Sequence, residues 1–330
     1  MKPQGLRLGA ALSLLLLAIS PRVSAAETPK YHFQEPSERN VVYGMYHGTA
    51  LLLDVYKPEH PNGFALVFIM GTGFTAAGEY DDIPLKELDR SLVDRGVFPP
   101  VFGGTGHFFG PELDAGFTVF TINHRLAPAF TWKYQVRDCQ RAVQFVRYNA
   151  KKYGINPAAI GAMGHSSGAS MTTYLAVMDD VADPNAEDPV NRESSRIQAA
   201  IAASGVHDLI KFVQQHPEGS GVIGGFVGRI IMYQQPGHPV FEDYKEASTI
   251  SHVSSHTPPM LIFHGSADPV VDPQQSVELD AALTKFGVPH KLIIIPGATH
   301  GGLTQPMSPT PAQIAAPWLL SQLQEAAGNP

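Results

Sequence analysis

The sequence predicts an α/β fold with a mostly parallel central sheet and helices on both faces, and two observations carry the prediction. Short, wholly apolar runs recur along the chain with helix-length stretches between them, as strands buried on both faces require. The turn Gly164-His165-Ser166-Ser167-Gly168 joins one of these runs to a small-residue helix, and a glycine-rich turn between strand and helix belongs to such folds.

In chain order, Asn40 to Tyr43 and Ala50 to Tyr56 read as an antiparallel start to the sheet. The buried strands follow at Ala65 to Ile69, Phe117 to Thr121, Ile160 to Met163, Ala199 to Ala203, Met260 to Phe263 and Leu292 to Ile295. Helices are expected at Tyr134 to Tyr153, Ser167 to Met178, Pro273 to Phe286 and Pro311 to Gln324. Two insertions interrupt the alternation, residues 75–114 with the aromatic, glycine-rich stretch Phe98 to Gly110, and residues 210–258 with the apolar piece Val222 to Met232. Loops of that length often form lids or substrate walls, although ordinary surface packing is an equal reading. Phe98, Phe102, Phe108 and Phe109 could wall a pocket or pack on one another.

Residues 1–26 have the layout of a secretory signal peptide: Lys2 and Arg7, the apolar run Leu8 to Ile19, Pro21, then small residues up to Ala25 and Ala26, either of which could precede cleavage. The run is shorter than a bilayer span and broken by Ser13, which argues against an anchor. Residues 27–330 are then expected as one exported domain, periplasmic or secreted. The whole chain carries 23 basic and 30 acidic residues for a net charge of −7, and loss of Lys2, Arg7 and Arg22 makes it about −10, which disfavours a nucleic-acid partner. The single cysteine, Cys139, excludes an internal disulfide and sits in an expected helix without a reactive motif, so packing is its expected role. Despite 14 histidines, no His-Glu-x-x-His or comparable ligand cluster occurs, and neither a metal nor an organic cofactor is expected.

Ser166 stands between Gly164 and Gly168, the two positions that must be small if strand and helix are to approach each other. A serine hydroxyl needs a general base, and the base needs an orienting carboxylate. Asp268 follows the strand Met260 to Phe263, and His300 lies in the loop Gly297 to Gly302 beyond the last strand, so both belong at the carboxyl edge of the sheet with Ser166. Asp272 is the competing acid. His165, His264, His107, His252 and His256 lack the loop and chain order of His300; His264 is expected to support the turn, and His165 to point away from the nucleophile. For an oxyanion, the expected donors are the backbone N–H of Ser167 and the Gly71-Thr72 backbone in the loop Met70 to Phe74.

With these motifs the chain resembles α/β-hydrolase esterases, the bacterial feruloyl and acetyl-xylan esterases and the hormone-sensitive-lipase-like carboxylesterases. The resemblance runs through Val41 to Gly44, Leu53 to Pro58, Asn123 to Pro128, Tyr153 to Pro157, Gly164 to Gly168, Ser204 to Leu209, His264 to Asp268 and Gly297 to His300, which covers most of the chain after residue 26. It implies an α/β-hydrolase fold and hydrolysis of a carboxylic ester, small or on a polysaccharide, through an acyl-enzyme. Where such esterases carry His-Gly-Gly-Gly, this chain has Met70 and Thr72 in place of the His and one Gly. A prolyl-oligopeptidase-like peptidase shares the elbow and C-terminal motifs, though no propeller repeats precede them here, and a non-catalytic binding protein could retain the fold.

Overall fold

The eight strands form one sheet in the order β1-β2-β4-β3-β5-β6-β7-β8: β1 (Glu38–Tyr46), β2 (Thr49–Tyr56), β3 (Ala65–Ile69), β4 (Thr118–Ile122), β5 (Ile160–His165), β6 (Ala199–Ala203), β7 (Met260–Gly265) and β8 (His290–Ile295). The first two strands are antiparallel to their neighbours, and β3 through β8 run parallel. This is the α/β-hydrolase fold that the sequence predicts. The structure, a computed structural model, describes residues 33–46, 48–75, 83–95, 107–230, 235–300 and 311–328. The expected signal peptide, Phe98 and Phe102 lie outside the described residues.

Strand β3 shows how pleating divides the interior. Ala65, Val67 and Ile69 enter one apolar cluster while Leu66 and Phe68 enter the other, because successive side chains leave opposite faces of a strand. Helices α1 (Leu88–Asp94), α2 (Gly110–Asp114) and α10 (Pro311–Ala326) cover one face. The other is covered by α3 (Trp132–Tyr148), followed by the short α4 (Ala150–Tyr153), with α5 (Ser167–Val177) and α9 (Gln274–Lys285). The single helix expected over Tyr134 to Tyr153 is broken at Asn149, whose side-chain amide donates to the Phe145 carbonyl at 2.9 Å. Cys139 is fully buried in α3, and burial pushes its thiol well up, as befits a packing residue.

Within the second insertion, α6 (Leu209–Gln215), α7 (Ser220–Val227) and α8 (Pro239–Glu246) form short helices above the carboxyl edge of the sheet. Phe226 of α7 packs on Phe74 with ring centroids 4.2 Å apart, which ties this helical layer to the loop after β3. In the first insertion, Phe109 packs on Phe68 at 5.2 Å and on Tyr56 at 4.9 Å, and both Phe108 and Phe109 are buried against the sheet. For these two rings, packing within the aromatic cluster is the outcome.

The strand order reverses beside β3, which pairs with β4 on one side and β5 on the other. Ile69 at the end of β3 is in register with Gly164 of β5, so the loops that leave these two strands emerge side by side. A crevice at such a reversal is where open parallel sheets hold their ligands.

Candidate active site

Ser166 leaves β5 with φ 56° and ψ −130°, a left-handed backbone that a residue with a side chain adopts at a cost of roughly 1–3 kcal/mol. The surrounding packing enforces it. A Cβ on Gly164 would stand 2.3 Å from the Gly168 carbonyl oxygen, and one on Gly168 would stand 2.0 Å from that of Ile69, so neither position accepts a side chain. Ser166 N–H donates to the Ala203 carbonyl at 2.9 Å, and α5 starts at the next residue. Ser166 thus sits at the positive end of a helix whose first N–H groups have no partner within the helix.

Two other strand ends bring in the remaining groups. His300, from the loop after β8, has Nε2 2.9 Å from Ser166 Oγ and Nδ1 2.8 Å from Asp268 Oδ2. Since an ionised carboxylate only accepts, Nδ1 donates to Asp268 and Nε2 is left to accept the Ser166 proton. Oδ1 of Asp268 accepts from the N–H groups of Val270 and Val271 at 2.8 and 3.0 Å, which fixes the carboxylate plane. Burial opposes its ionisation, but hydrogen bonds from His264 and His300 outweigh that and hold the carboxyl well below the usual carboxylate range. Asp272 turns elsewhere: it caps Gln274 N–H at 2.8 Å and accepts from the Gln215 amide at 3.1 Å.

Two histidines do more than their sequence positions indicated. His264 Nε2 donates to the Val271 carbonyl at 2.9 Å, which supports the turn, and also lies 3.3 Å from Asp268 Oδ2. His165 does not point away from the site: its Nε2 donates to the carbonyl of His300 at 2.7 Å, and the two rings are 4.9 Å apart. Burial, with the neighbouring His300 adding to it, presses the His165 pKa down to about 3.

The loop after β3 lies directly on the elbow. A Cβ on Gly71 would meet the His165 carbonyl oxygen at 2.4 Å, Ser167 N at 2.7 Å and Ser166 Cβ at 2.8 Å, so only glycine fits there. Thr72 N–H, one of the two N–H groups expected from this loop, donates instead to Ser167 Oγ at 2.9 Å.

Beside Ser166 opens a cavity of about 50 Å³ whose apolar walls include Phe74, Val206, Phe212, Val222, Ile223 and Val270. Gly73, Ser166 and Ser167 also line it, and the His216–Glu218 pair, 3.3 Å apart, borders it. The sequence offered no signal for these walls beyond the position of the second insertion, since they come from five separate loops and helices. Among the described residues no group of three or more His, Cys, Asp or Glu is placed to hold a metal ion, and no helix is long and apolar enough to cross a membrane.

The BD-FAE family model matches residues 107–283, more than half of the chain. Esterase LipQ of Mycobacterium tuberculosis is 32% identical over 175 residues, 53% of this chain and 40% of that protein, so the chain spans well under two thirds of this relative. Among solved structures, a truncated carbohydrate esterase from gut microbiota superposes with a TM-score of 0.67 at 24% identity, over 91% of this chain and 99% of that one. An acetyl ester-xyloside bifunctional hydrolase from Caldicellulosiruptor lactoaceticus gives 0.65 at 22%, over 89% and 97%.

Proposed function

The chain belongs to the BD-FAE family, and from that premise we propose that it is an exported serine esterase that cleaves carboxylic esters through an acyl-enzyme. The observation that carries the reading is the relay Asp268–His300–Ser166, closed at 2.8 and 2.9 Å above the strand ends. In this reading His300 takes the Ser166 proton as Oγ bonds to the ester carbonyl carbon, and the resulting tetrahedral oxyanion is held by backbone N–H groups at the start of α5 and in the loop after β3. Collapse of that intermediate expels the alcohol oxygen, which leaves with the proton from His300. Water then gives a proton to His300 and its oxygen to the acyl carbon; collapse of this second intermediate breaks the bond to Ser166 Oγ, which takes the proton back from His300 as the acid is released. Asp268 stabilises the imidazolium formed in both halves. Each step is carried by the chain's own side chains and backbone.

The leaving alcohol must lie within reach of His300, because that imidazole protonates it. The cavity lies by the loop after β3 and the end of β6, bordered by Gly73, Phe74 and Val206, and it takes the acyl half. A cavity of about 50 Å³ with mainly apolar walls suits a short acyl group such as acetyl or propionyl. The short acyl group, with relatives named as a carbohydrate esterase and an acetyl ester-xyloside hydrolase, supports an acetylated saccharide as substrate. Export rests on the signal-like composition of residues 1–26.

Matched aryl acetate, butyrate and ferulate esters, assayed beside an aminoacyl anilide, test the reading. Acetate should be hydrolysed fastest, and Ser166→Ala should lower kcat by roughly 10⁶-fold while the protein stays folded. Hydrolysis retained by Ser166→Ala, or preference for the anilide, would overturn it.

A further inference from the structure

The oxyanion loop of this chain has lost the polar side chain that its His-Gly-Gly-Gly counterparts place at its start. Met70 is apolar and buried in the cluster beneath the sheet, so it can offer the loop no hydrogen bond. The Thr72 hydroxyl supplies none either, since its Oγ1 is buried without a hydrogen-bond partner among the described residues. The contact that does cross from loop to elbow is made by the other serine of the motif, because Thr72 N–H donates to Ser167 Oγ at 2.9 Å. Ser167 is itself only 4% exposed, so solvent hardly competes for that bond.

This bond decides which N–H groups remain for an acyl oxygen. A donor engaged with a side-chain hydroxyl is not free to face a developing charge, which removes Thr72 N–H from the hole. Gly71 lies against the elbow, where an added Cβ would stand 2.7 Å from Ser167 N, and it is not among the residues that line the cavity beside Ser166. Gly73 follows with φ +68°, lines the same cavity as Ser166, and has no acceptor for its N–H among the described residues.

We propose that Ser167 is a positioning residue: its hydroxyl pins the loop after β3 through Thr72, so that the N–H groups of Ser167 and Gly73, in place of the expected Gly71-Thr72 backbone, receive the oxyanion. The inference rests on the serine-esterase reading. It makes the second serine of Gly-His-Ser-Ser-Gly a part of catalysis, at one bond's remove from the reacting atoms.

Wild type, Ser167→Ala and Ser167→Thr would be compared after titration with a fluorophosphonate and assay on an aryl acetate. A wild type that neither labels nor turns over fails the esterase reading, and the proposal falls with it. With both present, Ser167→Ala should stay folded and label fully while kcat drops about 10-fold, less than the roughly 100- to 1,000-fold loss of a whole oxyanion donor. KM and the shape of the pH profile should hold, a methylboronic acid that mimics the tetrahedral anion should bind about 10-fold more weakly, and Ser167→Thr should recover most of the rate. Unchanged or faster turnover in Ser167→Ala, or an effect confined to KM, overturns the proposal, because Thr72 N–H would then be a donor that Ser167 merely obstructs. Amide resonances of wild type give a reading that needs no variant: boronate should shift Ser167 and Gly73 downfield and leave Thr72 in place. A downfield shift at Thr72 is the contrary result.

Discussion

His165 grips the backbone of His300, with Nε2 donating to its carbonyl oxygen across 2.7 Å, so the residue before the proposed nucleophile holds the loop that bears the proposed base. The carbonyl can only accept, which fixes the proton of a neutral His165 ring on Nε2. Its ring also packs at 5.4 Å from Phe108, so both its polar and apolar contacts bear on the placement of His300. His165→Phe keeps an aromatic body and removes the donor. We expect a loss of about 1–3 kcal/mol of stability, measured by denaturant unfolding, and a fall in kcat of roughly ten-fold with KM little changed. Wild-type kinetics in this variant would show that the loop holds His300 unaided.

The two serines of the motif mark how far the sequence could be read. Strand β3 was legible because Ala65 to Ile69 is buried on both faces and leaves one apolar run, and Ser166, Asp268 and His300 were legible because each follows such a run. Helix α7 was not. Its eight residues include Gly221, Gly224 and Gly225, a poor composition for a helix, and packing of Ile223 and Phe226 stabilises what propensity does not. The bond between Thr72 and Ser167 joins residues 95 apart, and the cavity walls combine Phe74, Val206, Phe212 and Val270. Such relationships depend on which loops the strand order makes neighbours, and local pattern does not encode that.

The cavity makes a prediction about chain length. Val222 lies on α7 at its wall, partly exposed and free of the demands of a close-packed core position. Val222→Phe adds bulk where a third or fourth acyl carbon would lie. We expect kcat/KM for a butyrate ester to fall at least about ten-fold more than for an acetate ester, since one or two methylenes in an apolar pocket carry selectivity of about that size. Equal losses on the two esters would place the acyl chain elsewhere.

Buried histidines should make the fold sensitive to acid. Burial presses His165 and His207 down to about 3, from 6.5 in a free imidazole. Between those values the unfolded chain binds protons that the folded chain refuses, so stability is full above about pH 6.5 and declines as pH falls towards 3. His207 is the cleaner probe, being fully buried and outside the relay. His207→Phe keeps a ring of similar size and removes the titration, so its melting temperature should drop less steeply than that of wild type between pH 6.5 and 4. Parallel slopes would mean that His207 takes up its proton without unfolding.

On the alkaline side the group to test is Glu112, in α2. Its side chain is buried in the interior shared by α2 and α10, and neither carboxyl oxygen has a hydrogen-bond partner among the described residues. Burial is the largest cause, and it pushes the group up from 4.5 to about 8 against the opposing pull of its own backbone N–H and with the neighbouring Asp114 carboxylate adding to it, because an ionised carboxylate there would lose its hydration. The sign is opposite to that of the histidines: the folded chain keeps a proton that the unfolded chain releases above about 4.5, so stability present below that pH is lost progressively as pH rises through 8. Glu112→Gln has the same shape and cannot ionise. It should match wild type at pH 4.5 and exceed it by a few kcal/mol at pH 8, on the order of 1.4 kcal/mol for each unit between the two values. Chemical unfolding of both proteins at the two pH values measures this, and a variant no more stable than wild type at pH 8 would mean that the carboxylate is ionised and solvated in the folded protein.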